Sequence, residues 1–260
     1  MSNKTSQDSE SEMPSGIVPR LKKYLKHPYA ASFLDTAQTV FWAAVIAVGC
    51  RVFVYEPFNI PSGSMLPTLK IGDYLFVSKF SYGYGQYSFP FSPVSYSGRI
   101  LGSLPERGDV AVFRNPSDPE TDFIKRVVGL PGDTIQLRHG ILHINGEPVK
   151  RRPVGDYRSE PSENMSPWVK QYIETLPNGT EHPILEENGD TGPMDNTGEF
   201  VVPSGHFFMM GDNRDNSSDS RVLQNVGFVP IENFIGEATI IFFSVGDPGI
   251  RFERFFNVVE

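Results

Sequence analysis

The chain has 260 residues, room for one ordinary domain with an insertion, or two small ones, once an anchor is set aside. A net charge of −8 without a basic stripe in any region excludes nucleic acid as the expected partner. Glycine (24) and proline (22) exceed ordinary usage and point to a turn-rich, mainly β body; the single cysteine, Cys50, excludes an intrachain disulfide.

Residues 1–19 are polar and serine-rich and read as disordered. Arg20, Lys22, Lys23 and Lys26 follow, then an apolar stretch from about Thr36 to Tyr55. Twenty helical residues span roughly 30 Å, the thickness of a bilayer's hydrocarbon core. The basic cluster on the N-terminal side predicts a cytoplasmic N-terminus, with everything after Tyr55 outside. Arg51 lies near the far end, where a long side chain snorkels to the headgroups. Three other readings are weaker. A cleaved signal peptide starts nearer the N-terminus. Ala47-Val48-Gly49-Cys50 is a poor lipoprotein box, because the apolar run continues through Arg51–Tyr55. A buried helix of a soluble protein is suggested only by Asp35, Gln38 and Arg51. A single-pass helix over residues 36–55 is the expectation.

Next comes Pro61-Ser62-Gly63-Ser64-Met65-Leu66-Pro67-Thr68-Leu69, which sets Ser64 in a Pro/Gly-bracketed turn close to the anchor. Short β-like runs follow at Tyr74–Val77, Asp109–Phe113, Ile124–Val128 and Phe200–Val202. Phe80, Tyr82, Tyr84, Tyr87, Phe89, Phe91 and Tyr96 suit equally a hairpin packed on the core or a bilayer-facing belt. The run from His139 ends in Asn145-Gly146, a hairpin-turn signal. Residues 150–196 are polar and punctuated by Pro, Gly and Asn, and read as an insertion with long loops. No segment after residue 60 shows a long helical periodicity, so helices there should be minor. The expected plan is therefore a cytoplasmic tail (1–35), a transmembrane helix (36–55), a catalytic β domain (56–133 and 203–260) and an inserted smaller β/loop lobe (134–202).

A serine hydroxyl needs a base to take its proton. None of the five histidines sits in a motif resembling the Ser-His triads. Lysine can serve if neutral, which means lowering its ordinary pKa of about 10.4 by ~2–3 units through burial. Lys125, flanked by Phe123, Ile124, Val127 and Val128, is the candidate. Alone, a serine in such a turn is usually structural, and a lysine followed by arginine is usually a solvated edge. Their combination beside an anchor is rarer.

Ser62–Leu69, Gly72–Val77, Arg107–Phe113, Phe123–Arg126 and the loop Gly211–Arg221 together resemble the boxes of the type I signal peptidases (leader peptidases). The likeness covers about residues 56–133 and 203–245, in order and with similar spacing. It implies that Ser64 is the nucleophile and Lys125 the general base. It implies an oxyanion hole made by the Ser64 N–H and the Ser62 hydroxyl, and Ser217 bonded to the Lys125 amine. It implies an ion-pair network of Asp219 with Arg221 and Arg126. Phe58, Ile60, Met65, Leu69 and Ile124 would line substrate pockets admitting small side chains, hence cleavage after Ala-x-Ala. The partners implied are preproteins bearing signal peptides and the lipid bilayer, with the chain a monomer needing neither metal nor cofactor. Phe123 stands where many members carry Tyr, and this chain shows one span where some have two.

Other readings are weaker. A self-cleaving repressor-type Ser/Lys peptidase would need a DNA-binding domain, and a tethered binding module would not need Ser64 and Lys125 intact. Arg107-Gly108-Asp109 falls within a matched box. His139 and His143 lack a spaced partner for zinc. The Asp/Asn/Ser loop at 212–219 lacks the Gly and Glu of a calcium-binding EF loop. Sequons at Asn164, Asn178 and Asn216 are of a kind common by chance.

Overall fold

The computed structural model describes residues 28–89 and 98–260. Residues up to 49 and from 50 onward form two compact units. In the first lies most of a helix, α1 (Pro28–Phe53), with Asp35–Phe53 long and apolar enough to cross a membrane by length and composition. The helix begins before the expected span and ends short of it, because Tyr55 is already paired in a sheet. The basic cluster before residue 28 lies outside the described residues.

Within residues 50–260 the described strands run, in chain order, β1 (Tyr55–Asn59), β2 (Asp73–Ser78), β3 (Val110–Arg114), β4 (Asp122–Gly129), β5 (Thr134–Arg138), β6 (Ile141–Ile144) and β7 (Glu147–Pro148). They continue with β8 (Lys150–Arg158), β9 (Trp168–Thr175), β10 (Glu181–Glu186), β11 (Phe200–Val201), β12 (His206–Met210), β13 (Val229–Pro230) and β14 (Phe234–Ser244). Seven form the main sheet, in the order β1-β2-β14-β3-β4-β12-β13. Two smaller sheets, β11-β5-β6-β7 and β10-β9-β8, are built from strands between Thr134 and Val201. Every described strand pair is antiparallel.

Alternation explains β2, while β3, β4 and β12 are runs of consecutive buried residues. Leu75 and Val77 of β2 are fully buried and meet Val110, Val112, Ile235 and Ala238 in one core cluster, to which Ile60, Met65 and Leu69 also belong. The Asn145-Gly146 turn joins β6 to β7, both residues at the positive φ a tight hairpin requires. His139 and Gly140 form a second such turn between β5 and β6, so His139 is in a turn and shares no strand face with His143.

Residues 150–186 differ from the expected long loops: they form strands of nine, eight and six residues. Their polar composition has a physical cause. β8 is largely exposed, while in β9 and β10 several inward positions are charged: Glu174, His182 and Glu186 are all buried. The apolar alternation that betrays a strand is therefore broken by ions.

The aromatic stretch divides. Tyr82 is a core residue, edge-on to Phe234, and its hydroxyl donates to Asp109 at 2.9 Å. Tyr84 donates to the Phe53 carbonyl at 2.6 Å, while Phe80 is half exposed. Phe91 and Tyr96 lie outside the described residues. A separate ridge of ring contacts runs Tyr55–Phe76–Phe242–Tyr74–Phe243–Phe255, flanked by the exposed Phe252 and Phe256.

Candidate active site

Ser64 is the middle residue of a 3-10 turn, Gly63–Met65, lying between β1 and β2. Met65 and Leu66 are fully buried and anchor the turn, the first in the main-sheet core. Ser62 precedes the turn in extended conformation, its Oγ 3.5 Å from that of Ser64. The loop after β12 grips the same turn: the Asn213 N–H donates to the Ser64 carbonyl at 3.1 Å, and Asn213 Nδ2 donates to the Gly63 carbonyl at 2.9 Å. Gly211 makes the approach possible, since a Cβ there would lie 2.5 Å from the Ser64 carbonyl oxygen and 2.2 Å from Ser217 Oγ.

Lys125 reaches this turn from β4, whose residues from Lys125 to Gly129 are all buried. The strand is paired along both edges, with β3 and β12, and its consecutive buried residues show that both faces are covered. Lys125 Nζ donates to Ser64 Oγ at 2.8 Å and to the Ile124 carbonyl at 2.9 Å, with the Phe123 ring 5.1 Å away. Burial lowers the Lys125 pKa to about 8, against a weaker upward pull from Asp219 and Asp212. A lysine so placed is neutral often enough near neutral pH to accept a hydroxyl proton.

Three expectations are corrected. The Ser217 hydroxyl is buried but makes no hydrogen bond to Lys125; the Ile124 carbonyl is the amine's second partner. Asp219 pairs with Arg221, Nε to Oδ1 at 2.9 Å, but not with Arg126. Successive strand residues face opposite ways, and Arg126 runs to Asp212 instead, Nε to Oδ1 at 2.9 Å and Nη2 to Oδ2 at 2.8 Å. Phe58, Ile60 and Ile124 do line a cleft of about 220 Å³ beside Ser62 and Lys125. Met65 and Leu69 do not: the turn directs both into the core, where they are fully buried. On the other side of Ser64 a second cleft of about 360 Å³ is walled by polar groups, among them Glu163, Asn164, Asn213 and Asn216.

The sequence reading missed a buried charged seam behind the site. His182 of β10 sits between Asp212 and Glu174, Nδ1 and Nε2 each 3.3 Å from a carboxylate oxygen. Arg214 forks onto Glu174 at 3.0 and 2.6 Å. The Leu185 N–H donates to the Asp212 carbonyl at 2.8 Å, so β10 is bonded directly to the loop that grips Ser64. Despite burial, Arg126 and His182 hold the Asp212 carboxyl far below the usual range, and Arg214 and His182 hold Glu174 at about 2. The two-residue spacing of His182, Ile184 and Glu186 was the available signal for one strand face.

Residues 33–243 match the family described as "Signal peptidase, peptidase S26". A signal peptidase I of Rickettsia typhi is 46% identical over 208 residues, 76% of each chain. One from Rickettsia canadensis is 47% identical over the same length and shares. A crystal structure of a signal peptidase I from Enterococcus faecalis is 28% identical, covering 52% of this chain and 97% of that one, with a TM-score of 0.31. With most of its length matched, the chain belongs to the signal peptidase family, peptidase S26, membrane-anchored serine endopeptidases.

Proposed function

We propose that this enzyme removes signal peptides from preproteins with a Ser64/Lys125 dyad, cutting after small residues in Ala-x-Ala sequences. The observation that carries the reading is the 2.8 Å hydrogen bond from a buried Lys125 amine to the Ser64 hydroxyl. Neutral Lys125 takes the Ser64 proton as Oγ attacks the scissile carbonyl, then returns it to the departing amine. A water deprotonated by the same lysine hydrolyses the acyl-enzyme. The oxyanion is held by the Ser64 N–H, at the start of a turn where N–H groups lack intrahelical partners, and by the Ser62 hydroxyl. The Ile124 carbonyl keeps the amine aimed.

The substrate is read as an added strand. β1 is an edge of the main sheet, and the segment from Pro57 to Pro61 leads along the 220 Å³ cleft to Ser62. Walls of Phe58, Ile60 and Ile124 leave room for alanine-sized side chains. In this reading the N-terminus is cytoplasmic and residues beyond α1 work as a monomer on the outer face, where the exposed aromatic ridge suits a lipid interface. Catalysis needs no metal or other cofactor.

The test is cleavage of a preprotein with an Ala-x-Ala site by detergent-solubilised enzyme. The wild type is expected to cut there, while Ser64→Ala and Lys125→Ala do not. Cutting by Lys125→Ala would remove the lysine from its role, and binding without cutting by the wild type would make the chain a tethered binder.

A further inference from the structure

Three carboxylates converge on the side of the charged seam away from Lys125: Glu186 at the end of β10, Asp195 in the following loop, and Asp215 in the 214–216 turn. Each offers an oxygen within 4.8 Å of the others'. Convergence alone would say little. However, Glu186 is fully buried and neither of its oxygens accepts a hydrogen bond; Asp195 is 1% exposed and its Oδ1 is likewise unpartnered.

The neighbouring cations are committed elsewhere. Arg151 is bound to Asp190 at 2.5 Å and stays 3.8 Å from Glu186 Oε1, beyond hydrogen-bond reach. Arg214 is forked onto Glu174, and Arg221 onto Asp219. Arg214 and Arg221 thus have carboxylates of their own, and Arg151, shared between Asp190 and Glu186, is among the described residues the single cation within ion-pair distance of the three carboxylates. Arg214 Nε and Arg221 Nη1 also lack partners, but among the described residues neither arginine comes within ion-pair distance of the three.

The second oxygens of the two aspartates are fixed. Asp195 Oδ2 accepts the Gly192 N–H, and Asp215 Oδ2 accepts the Asn188 N–H at 2.7 Å. Gly192 keeps this corner open, since a Cβ there would lie 2.2 Å from Asp215 Oδ1. The result is two aspartates held from behind that converge with the unbonded Glu186 carboxylate.

We propose that Glu186, Asp195 and Asp215 bind a hard divalent cation of the calcium class that fastens β10 and the 187–195 loop to the loop carrying Asn213 and Ser217. An all-carboxylate donor set suits an oxygen-seeking cation, and calcium's flexible coordination tolerates ligands from three segments. The cation is structural and lies outside the dyad chemistry. It departs from the expectation that the chain needs no metal, which followed from the family resemblance and from the lack of zinc or EF-loop spacing.

The experiment uses full-length enzyme in detergent, stripped with EDTA and held at constant ionic strength with NaCl. Calcium chloride is titrated by calorimetry, and thermal unfolding is followed with and without it. Expected is one calcium per chain and a Tm rise of roughly 5–10 °C at ~100-fold excess over Kd. Glu186→Gln and Asp215→Asn should each lose both signals. Magnesium acting in place of calcium would support the same site with a smaller ion. If wild type binds neither ion while Glu186→Gln is more stable at pH 8, a proton neutralises the cluster and the proposal falls. It also falls if the calcium signals persist undiminished in both variants. Neither readout depends on peptide cleavage, so failure here leaves the dyad reading untouched.

Discussion

Two kinds of buried cation lie side by side in this protein. Lys125 is enclosed by Phe123, Ile124 and strand backbone with no carboxylate in hydrogen-bond contact, and its pKa falls to about 8. Arg126, its immediate neighbour, is equally buried but forked onto Asp212 and keeps its charge in a closed pair. A guanidinium stays charged in proteins, so burial can discharge only the lysine, and a bonded carboxylate decides whether a buried charge is compensated. Without one, desolvation turns an ammonium into a usable base; with one, the same burial makes a fixed strut.

The sharpest way to break this contrast is to remove the proposed reacting pair. Ser64→Ala and Lys125→Ala should each lower kcat by at least ~10³-fold, measured on a preprotein, with the fold intact by circular dichroism. Next, Asp212→Asn unpairs Arg126 and one side of His182. It should cost about 3–5 kcal/mol in urea unfolding, since a buried charge is left uncompensated.

Third, Lys125→Met should stabilise the protein at pH 7 by up to about 3 kcal/mol, the cost of burying an unpaired lysine. The folded pKa, about 8, lies below the unfolded value, so the unfolded state holds the extra proton between them. The gain should therefore be full below pH 8 and fade toward pH 10.5. A gain unchanged at pH 10.5 would mean packing, not charge, explains it. For the wild type, kcat/KM should rise with pH as the lysine loses its proton and level off above about 8. The smallest effect expected is from Ser62→Ala, a ~10–100-fold loss in kcat with little change in KM, as one oxyanion donor is removed.

Much of the main sheet is readable along the chain because Leu75 and Val77 of β2 alternate with the exposed Tyr74 and Phe76, while β3 is an unbroken apolar run buried on both faces. Ser64 and Lys125 are visible through their surroundings, a rigid turn and an apolar strand, although only folding brings them within 2.8 Å. Met65 and Leu69 mislead, because apolar residues beside a nucleophile read as pocket walls until the 3-10 turn is seen to direct them inward. The seam is hidden for the opposite reason: Glu174, His182 and Glu186 are core residues with the composition of a surface. Asp212 stands in one of the matched boxes, yet nothing along the chain pairs it with Arg126, which the resemblance sets against Asp219.

The open edge of β1 bears on timing. Under the proposed strand addition, a segment cut here lies extended for several residues leading up to the bond, at roughly 3.3 Å per residue. A polypeptide already packed into a helix or tight turn near its cleavage point cannot present that shape without local melting. Processing therefore races the folding of its own product, and the winner is set by how soon the newly exported N-terminus acquires structure.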